Sequence, residues 1–424
     1  MATLPAIRAH SKEIVLLAAL ALLAVLVRLA GRHEVTEDMR IFYAWSDQLR
    51  AAGGWRGLDQ EIGNYNAPFL YLLALTLYLP GATLLKIKLV WVMFDVVLAV
   101  FTYRVVALRR PGRRLPALAA LIMVFLPTVA VNASFYGQND AMWAAFALAG
   151  VYYLLRDKPW WAVSMCTVAL AVKPQGIFIF PLLGLLVLVG RLPWRSLLAI
   201  PAVYVALDLP AILLGRDPVE LLTLYDPGRQ AVHAPGLSSN APSVFAYLPV
   251  STRIESLRSI GYVLTLALIL GIWYVFVARR ARLDRDQLVT AATVFVILTP
   301  YFLPGMHERY FYLADVMSLV LAFYRPRLWP VPLLVQAASF LAYQPFLFGR
   351  GKENLPLLAT LMLAALVIST YALVTSVHPQ RRQGLLELVR LDQHLAGLGT
   401  LRRPDDAPGL HQVHQPAGLG EAHP

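Results

Sequence analysis

Charged residues are scarce in this sequence. Only 15% of the 424 residues are Asp, Glu, Lys or Arg, whereas 58% are hydrophobic. A soluble protein of this length could not bury that much apolar surface. Several runs with few charges approach the roughly 18 residues that a membrane-spanning helix needs: Ile14–Ala30, Leu192–Leu214 and Asn354–Val377. The shortage of charge excludes a soluble globular fold and predicts an all-α, polytopic helical membrane protein.

Three further absences narrow the function. The single cysteine, Cys166, lies in an apolar stretch, so the chain cannot form an internal disulfide. The sequence has no phosphate-binding glycine-rich loop, no HExxH and no GxSxG motif, so nucleotide-driven transport and the common hydrolases lose support. It also lacks a repeat of roughly 20–50 residues. A secondary transporter would be expected to show internal symmetry, so a hydropathy repeat shared by the two halves would distinguish that function from an enzyme.

The charges that are present include many arginines between the apolar runs. The net charge of +12 is typical of basic cytoplasmic loops in a membrane chain, and we predict no nucleic-acid partner. The positive-inside rule places the N-terminus and all the clusters in the cytoplasm. The clusters are Arg109, Arg110, Arg113 and Arg114; Arg156 and Lys158; Arg191 and Arg195; Arg279, Arg280, Arg282 and Arg285; Arg325 and Arg327; and Arg381 and Arg382.

This orientation decides the role of APFLYLLALTLYLPG, residues 67–81. Pro68 and Pro80 leave an apolar interior of about a dozen residues, which suits an interfacial or re-entrant helix better than a span. A full crossing here would move the cluster at Arg109 to the outside. We therefore predict a structured first external loop from about Arg32 to Lys86, followed by the second span.

The remaining apolar runs alternate regularly. Predicted spans centre near residues 123, 148, 166, 183, 206, 268, 295, 316, 338 and 366, which with the first two gives about twelve. The N-terminal run, which starts like a signal peptide, is predicted to be retained as the first span. Residues 1–377 would form one transmembrane domain, and residues 378–424 a largely disordered cytoplasmic tail. We expect a multi-pass protein of the bacterial plasma membrane with both termini in the cytoplasm.

Six ionisable residues then fall at the external boundary of the bundle: Glu37, Asp38, Asp140, Lys173, His307 and Arg309. Such groups are costly near lipid and tend to mark functional sites. A carboxylate there can take the proton of an acceptor hydroxyl, while Lys, His and Arg can stabilise a departing phosphate. Each also has a structural alternative. Asp38 or Asp140 could cap a helix, Lys173 could extend to the interface, and His307 and Arg309 could anchor a turn.

The sequence resembles the superfamily C glycosyltransferases, and within them the bacterial mannosyltransferase-like group related to the second GPI mannosyltransferase. The resemblance covers about residues 10–375 and depends on an ordered set of motifs: EDMRIFYAWSDQL, GNYNAPFLYLL, KIKLVWVMFD, FYGQNDAMWA, LAVKPQGIFIFPLL, LSSNAPSVFAYL and GMHERYFYLAD. Two positions depart from the family's pattern. Asn66-Ala67-Pro68 stands where a Pro-Pro pair is frequent, and Phe245 or Tyr247 must replace a loop tryptophan.

The resemblance implies a hexosyltransferase that uses a polyprenyl-phosphate sugar, with mannose or another hexose as the sugar. It would act at the external face, with inversion, on a lipid, glycan or protein acceptor. Asp38 would be the general base, and Lys173, His307 and Arg309 would contact the donor phosphate. The predicted sugar or acceptor pocket contains Glu37, Gln138, Asp140, Gln175, Asn240, Glu308 and Tyr310. A divalent cation near Asp38 and Asp140 would be compatible with these residues but is not required.

Two other functions stay open on the sequence alone. A secondary transporter or lipid flippase would place its polar residues near the middle of the membrane, whereas here they gather at one face. A membrane acyltransferase could use His307, although no second catalytic group stands beside that residue in the sequence. Asp95 lies inside a predicted span, and we expect it to pair within the bundle or to stay protonated.

Overall fold

The computed structural model describes residues 4–233, 236–249, 255–349 and 354–376. The predicted cytoplasmic tail lies outside these residues. The described chain is predominantly α-helical, as predicted. The helices are α1 Leu4–Ala30, α2 Glu37–Ala51, α3 Ala67–Thr76, α4 Thr83–Ala107, α5 Arg114–Phe125, α6 Pro127–Val131, α7 Asp140–Leu155, α8 Pro159–Val172, α9 Phe180–Leu188, α10 Ala199–Leu214, α11 Pro218–Thr223, α12 Pro227–His233, α13 Glu255–Ala278, α14 Arg285–Phe302, α15 Tyr312–Tyr324, α16 Pro330–Phe348 and α17 Leu355–Ser376.

The predicted span centres all lie within α-helices, but the predicted count of about twelve spans is not confirmed. Four helical segments in the described chain are long and apolar enough to cross a membrane: Trp194–Leu214, Glu255–Ala278, Pro326–Phe348 and Leu355–Ser376. A fifth arises if Arg114–Phe125 and Pro127–Tyr136, which bend by 51°, form one broken span. Several other apolar helices of the described chain are shorter than a span. For example, α8 has 14 residues and rises only about 21 Å, against a hydrocarbon core of roughly 30 Å.

The predicted first loop is structured. It contains α2, a 3₁₀ turn at Gly54–Asp59 and α3. Thr36 caps α2 by accepting a hydrogen bond from the backbone of Met39 at 3.3 Å, and Asn66 caps α3 through the N–H of Ala67 at 2.8 Å. With ten residues, α3 rises about 15 Å and is too short to cross a bilayer. This length agrees with the prediction that residues 67–81 do not span.

The core centres on α7, which is buried on almost every side and packs against α4 and α8. Alanines make up much of its surface, and Gly150 lets α8 approach because a Cβ there would collide with the sulphur of Cys166. Within α4, Asp95 forms an ion pair with Arg28 of α1 at 2.8 Å. The predicted pairing of Asp95 inside the bundle is therefore present in the structure.

The connection between α10 and α13 carries the short helices α11 and α12, the strand β1 Ser238–Ser239 and a 3₁₀ turn at Val244–Tyr247. Strand β1 pairs in parallel with β2 Met306–His307. The backbone N–H of Gly305 donates to Leu237 O at 2.8 Å, and that of Glu308 donates to Ser239 O at 3.0 Å. This small ladder fixes the segment between α14 and α15 against a loop that lies far away in sequence.

Candidate active site

The first turn of α2 places Asp38 at the surface of the bundle. Thr36, which caps this helix, also donates its hydroxyl to the backbone oxygen of Tyr136 at 2.7 Å. This bond ties the start of α2 to the π-helical turn Asn132–Tyr136. The side chain of Asp38 retains 22% of its exposure, so solvent or substrate can reach the carboxylate.

Arg309 joins Asp38 to the segment that follows β2. One of its terminal nitrogens, Nη1, lies 3.3 Å from Asp38 Oδ2 and 3.0 Å from Glu308 Oε1. The guanidinium carbon also stands 5.5 Å from the ring centre of Tyr136 and 5.6 Å from that of Tyr310, within cation–π range. Arg309 is thus a single cation shared by two carboxylates and enclosed by two aromatic rings.

Glu308 is fully buried and helps to hold Arg309. The hydroxyl of Tyr136 donates to Glu308 Oε1 at 2.7 Å, the same oxygen that faces Arg309. Burial raises the pKa of Glu308, while the charge of Arg309 acts in the opposite direction. Because the carboxylate is enclosed and bonded, it is suited to orienting Arg309 and not to attacking a substrate.

His307 stands beside this cluster and retains 24% of its side-chain exposure. Burial, and secondarily the positive charge of Arg309, lower the pKa of His307 from 6.5 to about 4. The imidazole is therefore neutral near pH 7 and can donate one N–H but carries no charge. Its ring centre lies 5.1 Å from that of Tyr310, and the backbone of His307 is bridged to Asn240.

A second ion pair, between Lys173 and Asp140, is completely buried. Lys173 Nζ lies 2.5 Å from Asp140 Oδ1, and neither side chain is exposed. The same nitrogen donates to Gln138 at 3.3 Å and to Asn139 at 3.2 Å. A direct contact between Lys173 and a donor phosphate would have to replace one of these partners, and it stays a prediction.

Asp140 is as fully occupied as its partner. Trp143 Nε1 donates to its Oδ1 at 3.0 Å, and Asn132 Nδ2 donates to its Oδ2 at 2.9 Å. Both carboxylate oxygens therefore have partners, and a cation could bind there only by displacing them. Within the described chain, no group of three or more His, Cys, Asp or Glu side chains is arranged to hold a metal ion.

Tyr65 lies between the two ion pairs. Its ring centre is 5.5 Å from Lys173 Nζ, and its hydroxyl is close enough to Arg309, Asp140 and Asp38 to respond to their charges. Burial raises the pKa of Tyr65, so its hydroxyl stays protonated at neutral pH. Together with Tyr65, the two cations Arg309 and Lys173 and their acidic partners therefore form one electrostatic unit built from five separate parts of the chain.

Four of the predicted pocket residues occupy other positions. Glu37 is paired with Arg40 at 2.5 Å and its side chain is 84% exposed, so it faces solvent. Asn240 holds the loop in place by donating to Ala342 O at 2.7 Å. Gln138 and Gln175 are buried, the first as a partner of Lys173. Their contact with a sugar or an acceptor stays a prediction.

Sequence reasoning missed Tyr65, Tyr136 and Asn132 as members of the site. Tyr65 and Tyr136 do occur inside the motifs GNYNAPF and FYGQND, next to polar residues, which is the one signal that could have identified them. An aromatic residue near a span end is more commonly part of the interfacial belt. The pattern alone could not separate these two interpretations.

The sequence model of glycosyltransferase family 87 matches residues 64–304, more than half of the chain. The chain belongs to glycosyltransferase family 87. This family assignment confirms the predicted membrane glycosyltransferase of superfamily C type. The match contains Asp140 and Lys173, but it begins after Asp38 and ends before His307 and Arg309. No curated protein matches the chain.

Proposed function

We propose that this family 87 glycosyltransferase moves a hexose from a polyprenyl-phosphate donor to an acceptor hydroxyl at the external membrane face, with inversion. The observation that carries the proposal is the 3.3 Å pair between Asp38 and Arg309. It places an accessible carboxylate beside a guanidinium, the group that binds phosphate oxygens with two parallel hydrogen bonds. Asp38 is thus a candidate for removing the proton, and Arg309, in contact with it, is a candidate for stabilising the leaving group.

Asp38 is the proposed general base. It takes the proton of the acceptor hydroxyl while the acceptor oxygen forms a bond to the anomeric carbon of the sugar. The bond from that carbon to the phosphate oxygen breaks, and its electron pair leaves with the phosphate. Arg309 stabilises the resulting charge and neutral His307 donates an N–H to it. Glu308, the neighbouring carboxylate, is enclosed and cannot serve as a nucleophile, so a single displacement with inversion follows.

The sharing of Arg309 suggests how the base becomes available. Its Nη1 contacts Asp38 and Glu308 at once, so in the absence of a donor the guanidinium occupies an oxygen of the Asp38 carboxylate. A donor phosphate attracts the guanidinium and weakens this contact. Asp38 is then released at the moment when a substrate is bound, while Glu308 keeps Arg309 in place.

Lys173 has a supporting role in this proposal. Its Nζ is buried with Asp140, yet it is near enough to Arg309 and Tyr310 to act on them electrostatically. The buried pair therefore fixes the rear wall of the site, formed with Tyr65. The sugar, which we propose to be mannose or another hexose, and the acceptor, which could be a lipid, glycan or protein, would bind on the open side beside Asp38 and His307.

The test compares two aspartates of the same helix. Asp38→Asn removes the proposed base, whereas Asp47→Asn alters an exposed residue of α2 that pairs with Arg50. Membranes containing each variant are supplied with polyprenyl phosphates that carry radiolabelled mannose, glucose or arabinose, and transfer of label is followed. We expect Asp38→Asn to slow transfer by at least ~100-fold, with the control within about twofold of the wild type. Equal rates in all three proteins would refute Asp38 as the base.

A further inference from the structure

A groove lies between α1, α4 and α5, away from the cluster around Arg309. Its volume is about 650 Å³, within the range of about 300–1,000 Å³ that is common for ligand sites. Apart from Arg28, Asp95, Tyr103 and Arg104, its lining consists of alanine, valine and leucine side chains. In a membrane protein such an apolar surface binds hydrocarbon chains in preference to water, because water finds no hydrogen-bond partners there.

The groove is closed at one end by Arg28. This side chain donates to Asp95 of α4 at 2.9 Å and to the backbone oxygen of Val124 at 3.1 Å, so it connects all three helices. Further along α1 the side chains of Leu17 and Val25 remain 55% and 52% exposed, although both line the groove. Between Arg28 and the N-terminal part of α1, the space between the helices is therefore open towards the lipid.

The length of the groove indicates which kind of lipid chain it can hold. From Leu17 to Arg28 the helix rises about 16 Å, which is close to half of a hydrocarbon core of roughly 30 Å. One leaflet's acyl chain fits this length. A long polyprenyl chain would extend well beyond it, and the contact between Arg28 and Asp95 blocks continuation towards Asp38.

The open end of the groove carries a cation. Arg104 is exposed, its guanidinium carbon lies 5.6 Å from the ring centre of Phe101, and it makes no ion pair with the residues that the structure describes. It lies at the arginine-rich end of α4, about 24 Å along the helix axis from Lys88, whose Nζ contacts the loop before α2. A headgroup on Arg104 is therefore remote from Asp38 and is not a reacting donor phosphate.

We infer that this groove binds one molecule of an anionic phospholipid, with an acyl chain between α1, α4 and α5 and its phosphate on Arg104. The inference is independent of the proposed transfer reaction, because it uses neither Asp38 nor Arg309. A guanidinium presents several N–H donors to phosphate oxygens, and the alanines of α5 leave room for the chain. The lipid occupies the gap that the three helices leave open.

Native mass spectrometry of the full chain in detergent tests this inference, with phosphatidylglycerol and phosphatidylcholine of identical acyl chains as probes. We expect the wild type to retain one phosphatidylglycerol in preference to phosphatidylcholine. Arg104→Gln should reduce the bound phosphatidylglycerol at least fivefold. Arg113→Gln removes the same charge from the same end of the bundle without touching the groove lining, and this control should bind as the wild type does.

A second variant tests the proposed position of the acyl chain. Ala120→Phe fills the groove from α5 while leaving Arg104 in place, and it should also reduce retention of phosphatidylglycerol. Equal losses of bound phosphatidylglycerol in Arg104→Gln and Arg113→Gln would show that the lipid responds only to the overall positive charge of this surface, and would overturn the inference. Retention unaffected by Ala120→Phe would overturn it as well, and so would displacement of phosphatidylglycerol by an equimolar polyprenyl phosphate.

Discussion

Two ion pairs of similar composition lie close together in this protein, and they differ in what surrounds them. Lys173 and Asp140 are wholly buried and every donor and acceptor between them has a partner. Asp38 keeps 22% of its exposure, and its partner Arg309 is shared with Glu308. A buried and completely bonded pair is fixed, whereas a shared and partly open pair can exchange partners with a substrate. The comparison separates the structural charges from the proposed reactive ones.

The largest effect is expected from a substitution that breaks the buried ion pair between Lys173 and Asp140. Asp140→Asn keeps the shape of the side chain but leaves Lys173 as an uncompensated buried cation, which typically costs about 3–5 kcal/mol. We expect a clearly lower free energy of unfolding, measured by thermal or SDS-induced unfolding in detergent. The double variant Asp140→Asn with Lys173→Met should recover part of this loss, since it removes the isolated charge.

The matched control is again Asp47→Asn, because that aspartate belongs to an exposed pair that contributes only ~0.2–1 kcal/mol. Asp38→Asn should unfold nearly as the wild type does, although we expect it to lose transfer. If Asp140→Asn unfolded at the wild-type midpoint, the proposed division between a structural and a reactive pair would have no basis.

A smaller effect is expected at the contact that supports Arg309. Tyr136→Phe removes the hydroxyl that donates to Glu308 at 2.7 Å and leaves that buried oxygen with Arg309 alone. Loss of one partner of a buried acceptor costs about 1–3 kcal/mol. We expect a drop of this size in the free energy of unfolding, together with slower transfer, because Arg309 is less firmly oriented. Tyr274→Phe, at a side chain that is 73% exposed, should change neither quantity.

The smallest effect is the pH dependence at His307. Its pKa is lowered from 6.5 to about 4 in the folded protein, so between these values the unfolded chain binds a proton that the folded one does not. Stability is therefore complete above pH 6.5 and falls as the pH decreases towards 4, by about 1 kcal/mol at pH 5.5. Thermal unfolding between pH 4.5 and 7.5 should show a weaker decline in His307→Gln. The exposed His33→Gln serves as control, and identical profiles for wild type and His307→Gln would contradict the lowered pKa.

Much of the helical arrangement could be predicted from apolar runs. Apolar runs mark these helices because both lipid and the protein core select apolar side chains. Every predicted centre falls within a helix, and residues 67–81 contain a short helix. The number of spans could not be predicted in this way. The spans predicted on either side of Lys173-Pro174, centred near residues 166 and 183, contain helices of only 14 and 9 residues. Hydropathy locates an apolar stretch but does not give the length of the helix within it.

The site was predicted in part. Asp38, His307 and Arg309 were identified because ionisable residues are unusual between apolar runs, and the structure brings Asp38 to Arg309. Glu37, predicted for the sugar or acceptor pocket, and Lys173, predicted for the donor phosphate, were identified by the same signal, yet one faces solvent and the other is enclosed. Adjacent residues of a helix point in different directions, and burial depends on packing partners that come from distant segments.

The sequence by itself determined that this chain is a helical membrane protein and which chemical groups could take part in glycosyl transfer. Those properties follow from composition and local order, which do not depend on how the helices pack. Only the tertiary structure decided which charges are paired, because the partners of Arg309 and of Lys173 come from helices and loops far apart in the chain. Accessibility, which distinguishes Asp38 from Asp140, arises from that packing and has no local signature.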